Sequence, residues 1–357
     1  MFFARFPFLL FLVIEKGEKN DVRHINIPIF IPHMGCPNMC VFCNQRSISG
    51  QKCFDRESVR EKIWDALKTI PHGAEVEIAY FGGSFTGIER ELMVYLLDVA
   101  ESFVRRKDDG YARVCGIRMS TRPDYINEEI LDILSNYTVS AIELGLQSMD
   151  SEVLSSCRRG HTSYDAETAC RKIKERGYYL VGQMMIGLPA STVEKEVETA
   201  RKICAMGCDG ARIYPTVVFY DTELAAMTER GEYTPLSLDD AVKRSAKVLD
   251  VFNAAHVDCI RIGLCASDNL SDDSCVMGGA NHPALGELVL GEVYYNRMRA
   301  QLEGKNIRGG EVKFLVPRGH MSKAIGQKGK NRERLRLEFS LEKIEFKESD
   351  IDDVILI

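Results

Sequence analysis

Three cysteines stand close together in the run Gly35-Cys36-Pro37-Asn38-Met39-Cys40-Val41-Phe42-Cys43. Their C-x3-C-x2-C spacing lets three thiolates meet at one metal centre. Thiolates are soft ligands, and a tight loop of three suits iron–sulfur chemistry. A structural zinc site takes four protein ligands. No fourth Cys or His lies at ordinary spacing, but Cys53 and His33 are near enough to keep zinc open. With three protein ligands, a four-iron cluster keeps one iron for a ligand from outside the chain. The rest of the 12 cysteines scatter along the sequence, unlike the even stapling of a small secreted framework. They are read as buried thiols acting as small hydrophobes in a reducing cytosol. Cys204 and Cys208 share a helix face without His or Asp partners. Cys265 and Cys275 flank a polar loop, which leaves a redox pair or a gating loop open.

Further polar phrases follow at intervals. In Phe81-Gly82-Gly83-Ser84-Phe85, two glycines let backbone approach a ligand closely, and carbonyls there can accept from an ammonium. Later come Ser120-Thr121-Arg122-Pro123-Asp124, Glu143-Leu144-Gly145-Leu146-Gln147-Ser148 and Arg158-Arg159-Gly160-His161-Thr162. Two more are Gly182-Gln183-Met184-Met185-Ile186-Gly187-Leu188-Pro189 and Arg212-Ile213-Tyr214-Pro215-Thr216. The Gln147 amide can both donate and accept, which suits hydroxyls. The Arg159 fork suits a carboxylate. Glu143 is either the partner of an inward-pointing base or a structural carboxylate in a barrel layer. His161 is read as a residue that fixes its loop by hydrogen bonding.

The elements that must position these phrases alternate. Short β-rich runs are expected at 25–31, 75–80, 113–119, 140–146, 179–186, 210–214 and 258–262. Amphipathic helices are expected at 56–69, 90–105, 127–134, 164–176, 192–206 and 238–254. Six or more such units mean an α/β fold with a parallel sheet and helices outside. A doubly wound sheet is the rival, but no G-x-G-x-x-G follows the first strand. The expectation is a full or partial (β/α) barrel, whose chemistry sits at the C-terminal ends of the strands, where these phrases fall. The division expected is an extension at 1–24, a barrel at 25–265, its continuation at 266–303 and a small tail domain at 310–357.

Composition is ordinary for a globular chain of 357 residues, with 45% hydrophobic and 27% charged. The longest apolar run, residues 6–14, is interrupted by Pro7 and falls short of the roughly 18 residues that span a bilayer. It imitates a weak signal peptide but lacks an A-x-A-like cleavage site, so a first strand or an over-extended start is preferred, with a cytoplasmic location and no membrane partner. Net charge is −6, so any nucleic-acid contact needs a local basic patch. The tail has one. Residues 322–335 form helix, G-x-x-G turn and helix, dense in Lys323, Lys328, Lys330, Arg332 and Arg334, with Arg336 just beyond.

The cysteine spacing, with the aromatic Phe42 before the last cysteine, resembles the radical S-adenosylmethionine (SAM) enzymes. The resemblance implies a [4Fe-4S] cluster on Cys36, Cys40 and Cys43, SAM on the open iron, and an electron donor such as flavodoxin or ferredoxin. It implies cleavage of SAM to methionine and a 5′-deoxyadenosyl radical. Gly82, Gly83 and Ser84 resemble the turn that binds the methionyl amine. A bulky side chain at Gly83 is therefore expected to strike the methionyl group and spare the cluster. Over residues 27–262 the phrases resemble two branches, the catalytic subunit of the tRNA-modifying elongator complex and oxygen-independent coproporphyrinogen oxidase. Carried over by position, Gln147 and Arg159 hold the SAM ribose and carboxylate, and Phe42, Ser120 and Gln183 join the cofactor-binding set. Ser120 and Gln183 stand where carboxylates are common. The tail is too short for the acetyltransferase domain of the elongator subunit, so acetyl transfer is not carried over.

The phrase Ile325-Gly326-Gln327-Lys328-Gly329-Lys330-Asn331 resembles a KH domain, whose loop clamps a single-stranded backbone. Gly326, Gln327, Lys328, Gly329 and Lys330 would make that clamp; a solvated basic hairpin closing the barrel is the alternative. The function expected is a radical SAM enzyme acting on RNA, tRNA foremost. A small molecule such as a porphyrinogen is the alternative substrate, and a non-catalytic RNA- or zinc-binding protein the third reading. Iron analysis of anaerobically reconstituted Cys40→Ala should find the cluster lost or unstable. Four stably bound irons there, or stoichiometric zinc in the unaltered protein, would contradict the assignment.

Overall fold

The computed structural model describes residues 23–31, 34–36, 40–44, 54–107, 110–264 and 275–357, with the backbone alone at 13–15. The readings placed on His33, Cys53, Cys265 and most of residues 1–22 lie outside the described residues.

Seven parallel strands form the main sheet in chain order: β2 (His24–Ile31), β3 (Glu75–Gly82), β4 (Arg113–Thr121), β5 (Val139–Gln147), β6 (Tyr179–Ile186), β7 (Gly210–Pro215) and β9 (Asp258–Ile262). A short β1 (Val13–Glu15) pairs antiparallel with β2 at one edge. Among the described residues no ladder joins β9 back to the first strands, so the barrel is partial. Helices α1 (Val59–Thr69), α2 (Arg90–Val104), α3 (Glu128–Leu134), α5 (Ser163–Glu175), α6 (Val193–Ala205) and α8 (Leu238–Ala254) return the chain between strands. Their starts are set by side-chain caps. Asn127 accepts from Ile130 N, Thr162 and Asp165 form a reciprocal capping box, and Ser237 accepts from Asp240 N.

Successive strand residues face opposite sides. On β3, Val76, Ile78 and Tyr80 are buried in the core that includes the helices. Glu77 lies on the other face and begins a charged layer inside the barrel. Arg118 Nε donates to Glu77 at 2.8 Å, and its Nη1 to Glu143 at 3.1 Å. Arg212 grips the same Glu143 through Nη2 at 2.9 Å and Nε at 2.8 Å. Of the two roles open to Glu143, the structure gives it both: it pairs inward-pointing bases and is a layer carboxylate.

Three short elements carry too little periodicity to be read beforehand: α4 (Ser151–Ser156), α7 (Glu223–Glu229), and β8 (Val217–Phe219), which pairs antiparallel with β10 (Val276–Gly279). Helix α9 (Leu285–Gly304) then serves two cores. Leu285, Val289 and Val293 join the barrel core, while Tyr294, Tyr295, Met298 and Leu302 join that of the tail. The tail runs β11 (Glu311–Pro317), α10 (Met321–Ile325), α11 (Lys330–Glu338), β12 (Lys343–Ser349) and β13 (Ile355–Leu356). Strand β11 is central, parallel to β12 and antiparallel to β13. Among the described residues no helix is long and apolar enough to cross a membrane.

His24 stands 3.3 Å from Glu77 at the edge of the charged layer. The Cys115 side chain and Glu77 hold its proton, raising its pKa from 6.5 to about 10. Burial opposes the Glu77 charge, but His24 and Arg118 outweigh it and hold the carboxyl at about 2. A raised base contributes fully below its ordinary value of 6.5 and loses that contribution as pH climbs through 10; a lowered acid contributes above 4.5 and loses it as pH falls through 2. The pair therefore stabilises most between pH 4.5 and 6.5. The stability advantage of the unaltered protein over His24→Gln, measured by urea unfolding, should shrink between pH 6.5 and 10. A constant difference over that range would show that His24 holds no proton in the fold.

Candidate functional site

The cysteine loop leaves β2 and lies directly on the turn after β3. Gly83 N donates to Ile31 O at 2.8 Å, and Ser84 N to Met34 O at 3.0 Å. The approach leaves no room for side chains: a Cβ on Gly83 would stand 1.9 Å from Met34 O, and one on Gly35 would stand 2.2 Å from Ser84 O. Gly35 also has φ +72°, which glycine adopts without strain. The glycines of this turn are thus required by the cysteine loop itself. This corrects the expectation for Gly83, whose substitution strikes the loop that carries Cys36 before any ligand.

The second half of the loop is fixed from the far side of the barrel. Cys43 N donates to Cys40 O at 3.0 Å, Val41 N to Cys157 O at 3.2 Å, and Leu224 N to Val41 O at 2.8 Å. Val41 packs with Val153, Cys157, Leu188 and Leu224, and Phe42 lies half-buried against that group. The two short helices α4 and α7 therefore hold the Cys40–Cys43 segment. Among the described residues no three Cys, His, Asp or Glu groups converge at metal-ligand distance.

Two buried guanidiniums flank the cysteines. Arg159 Nη1 lies 3.5 Å from Cys40 Sγ, its Nη2 donates to Gly145 O at 2.6 Å, and its buried Nε has no partner among the described residues. Arg122 is held by Asp124, to which Nε and Nη2 donate at 2.9 and 2.8 Å. Burial pushes the Cys36 thiol up, while Arg159 and Arg122 favour its thiolate. Two of the three thiols, Cys36 and Cys40, beside cations with unused N–H groups fit a thiolate-ligated, negatively charged cluster better than isolated free thiols.

Beyond Arg159 the cradle continues onto β5 and β6. The ladder slips between Gly145 and Gln147, where Gln147 takes φ +66°. That bulge brings Gln147 against Gln183 in a reciprocal amide pair at 3.1 and 2.8 Å. A Cβ on Gly145 would come within 2.9 Å of Arg159 Nη2 and 3.0 Å of Gln147 Nε2. Ser120 is half-buried on β4, paired in register with Glu143. The Ser84 hydroxyl is 2.8 Å from Thr121 Oγ1 and accepts from Arg122 N at 3.1 Å. His161 is buried; burial first and Arg159 second push its pKa down to about 4, so it stays neutral. Arg122 and Gly145 join the site although residue type alone does not mark them, and both lie inside phrases that are conspicuous in the sequence.

In the tail, Gly326 and Gly329 have φ +79° and +78° with Lys328 at +54° between them. Asn331, buried, donates from Nδ2 to Gly291 O at 2.7 Å and so locks the turn onto α9. Lys330 pairs with Asp239 at 3.0 Å in the first turn of α8. That turn lies at the C-terminal side of the sheet, because α8 runs back between parallel strands. Arg334 pairs with Glu292 and lies 3.5 Å over the Tyr295 ring, and Arg336 pairs with Glu333.

The family model for the Radical SAM superfamily matches residues 30–203, and that for the Radical SAM C-terminal domain matches residues 208–295. An uncharacterized protein of Methanocaldococcus jannaschii is 30% identical over 237 residues, covering 63% of this chain and 70% of that one. Elongator complex protein 3 of Saccharomyces cerevisiae is 26% identical over 254 residues, 61% of this chain. The tRNA uridine(34) acetyltransferase of M. jannaschii is 32% identical over 195 residues, 50% of this chain. The chain spans 46% and 36% of the length of those two proteins. Among solved structures, an archaeal Elp3 of Methanocaldococcus infernus with an N-terminal deletion aligns with TM-score 0.58, 21% identity, and coverage of 80% of this chain and 64% of that one. That likeness is one of fold.

Gly83→Val should now behave like a cysteine variant. After anaerobic reconstitution its iron content should fall well below that of the unaltered protein, because the Met34 carbonyl must move. Full iron content together with lost SAM binding would instead return Gly83 to the methionyl group.

Proposed function

The chain belongs to the radical SAM superfamily, and we propose that within it the protein modifies RNA, with tRNA as substrate. The superfamily works with a [4Fe-4S] cluster and SAM. When bound, the pair supplies one-electron cleavage of SAM to methionine and a 5′-deoxyadenosyl radical that takes hydrogen from substrate. In this reading Cys36, Cys40 and Cys43 hold the cluster on the loop propped by α4, α7 and the glycine turn. Gly82, Gly83 and Ser84 offer backbone for the methionyl amine at the edge of that loop, and Phe42 lines it. Arg159 serves the carboxylate from beside Cys40. The Gln147–Gln183 amides, already oriented by each other, turn to the ribose hydroxyls, with Ser120 on the neighbouring strand. The neutral His161 and the apolar group around Val41 keep bulk water from the buried side of the cysteines. An electron donor such as flavodoxin or ferredoxin belongs to the same reading.

The observation that carries the RNA reading is the tail turn. It sets Gly326, Lys328 and Gly329 at positive φ, and the absence of side chains at the two glycines lets a phosphate backbone come close, although the N–H groups of Gly326 and Gly329 are already bonded within the turn. Lys323, Lys328 and Arg332 form no ion pair among the described residues and remain available to phosphates. The relatives named for tRNA and Elongator point the same way. Acetyl transfer forms no part of the proposal. One observation favours a small-molecule substrate instead: Lys330, Arg334 and Arg336 are engaged in ion pairs, as a structural cap would require.

Replacing Gln327 and Lys328 together by aspartate separates the two. Binding of tRNA should be lost at moderate salt, while SAM cleavage without substrate continues. Each phosphate contact removed should flatten the plot of log affinity against log salt by roughly 0.7 to 0.9. Unchanged tRNA affinity would move the small-molecule reading ahead.

A further inference from the structure

Arg122 has no part in the cofactor contacts assigned above, yet its setting is costly. Its side chain is 2% exposed, and a buried guanidinium is strongly unfavourable unless its charge and N–H groups are met. Asp124 meets one edge through Nε and Nη2. The remaining nitrogen, Nη1, is buried and has no hydrogen-bond partner among the described residues. The backbone sets Arg122 next to the cysteine loop. Arg122 N donates to Ser84 Oγ, Ser84 N donates to Met34 O, and Gly35 lies against Ser84 O, so Arg122 is two hydrogen bonds from the residues that lead into Cys36. Cys36 and Cys40 both lie within electrostatic reach of Arg122. Arg159, by contrast, is already engaged at Cys40 and Gly145.

We propose that Arg122 tunes the cluster: its Nη1 donates to a sulfur of the [4Fe-4S] group held beside Cys36 and Cys40, stabilising the reduced, more negative form. Asp124 is the positioning residue that keeps the guanidinium turned with Nη1 inward. Hydrogen bonds to cluster sulfurs and nearby charge are among the levers that set such potentials. The inference rests on the cluster being bound at Cys36, Cys40 and Cys43, and goes beyond it in assigning the group that sets its potential.

The test is a potentiometric titration of full-length, anaerobically reconstituted protein without SAM, followed by electron paramagnetic resonance. Arg122→Met and Arg122→Gln should each lower the reduced-to-oxidised ratio at a fixed potential by about tenfold, a shift of about 59 mV for one electron. Arg122→Lys should stay near the unaltered value. Loss of iron from both neutral variants, with full iron and a near-normal potential in Arg122→Lys, would also support the assignment. Unchanged potentials in neutral variants with full iron would overturn it. So would an unchanged potential joined to a tenfold loss of SAM affinity, which would give Nη1 to the SAM carboxylate. An unaltered protein that binds no iron fails the cluster assignment itself and is told apart at the first step.

Discussion

The structure turns on one close contact, the carbonyl of Met34 lying where a side chain on Gly83 would be. Because nothing fits between the loop after β2 and the turn after β3, the two pack as one unit. That unit sets Cys36 beside Ser84. The Ser84 hydroxyl then reaches Thr121 and the backbone of Arg122, and Arg122 is gripped by Asp124. From the other side Arg159 links Cys40 to Gly145, whose lack of a side chain admits Gln147 and Gln183. The strand ends from β2 to β6 are thus tied through short polar contacts around the cysteines, and a side chain added at Gly35, Gly83 or Gly145 would press on that network.

Below this rim lies the charged layer. Arg118 precedes Ser120 by two residues and Glu143 precedes Gly145 by two, so each is one layer deeper on the same strand face. Glu143 shared by two arginines, and Glu77 shared by Arg118 and His24, fasten β2, β3, β4, β5 and β7 across the inside of an open sheet. Replacing such a network by apolar residues is often neutral, but removing one member leaves a buried charge unmet at about 3–5 kcal/mol. Its consequence here is register: an inward-facing ion pair fixes which residue of each strand reaches the rim.

The strands and their helices could be read from the sequence because each rests on local information. Runs such as 179–186 are mostly apolar segments between turn residues, broken here only by Gly182 and Gln183, and Ser237 or Thr162 caps lie within three residues of what they satisfy. The three cysteines were equally plain, since their spacing alone carries chemistry. What escaped is long-range. The bulge at Gly145–Gln147 shows in no periodicity, yet it decides where Gln147 points. That Gly83 serves the cysteine loop depends on a backbone 49 residues away in sequence. The basic tail looked uniform, but Asp239 and Glu292, far upstream, take up Lys330 and Arg334. Helices α4 and α7 are too short for amphipathic periodicity, though both support the cysteine loop.

The tail and the barrel meet along α9, which contributes one stretch to each core, and through the Lys330 contact at the C-terminal end of the sheet. The G-x-x-G turn therefore lies toward the same side of the sheet as the cysteines. All of this depends on the three thiols holding a redox-active cluster that SAM can reach. The most direct measurement is anaerobic: iron content and 5′-deoxyadenosine formation by the reconstituted full-length protein given SAM and a strong reductant. About four irons per chain and deoxyadenosine that disappears in Cys36→Ala are expected. Stoichiometric zinc, or a full iron complement that never cleaves SAM, would contradict it.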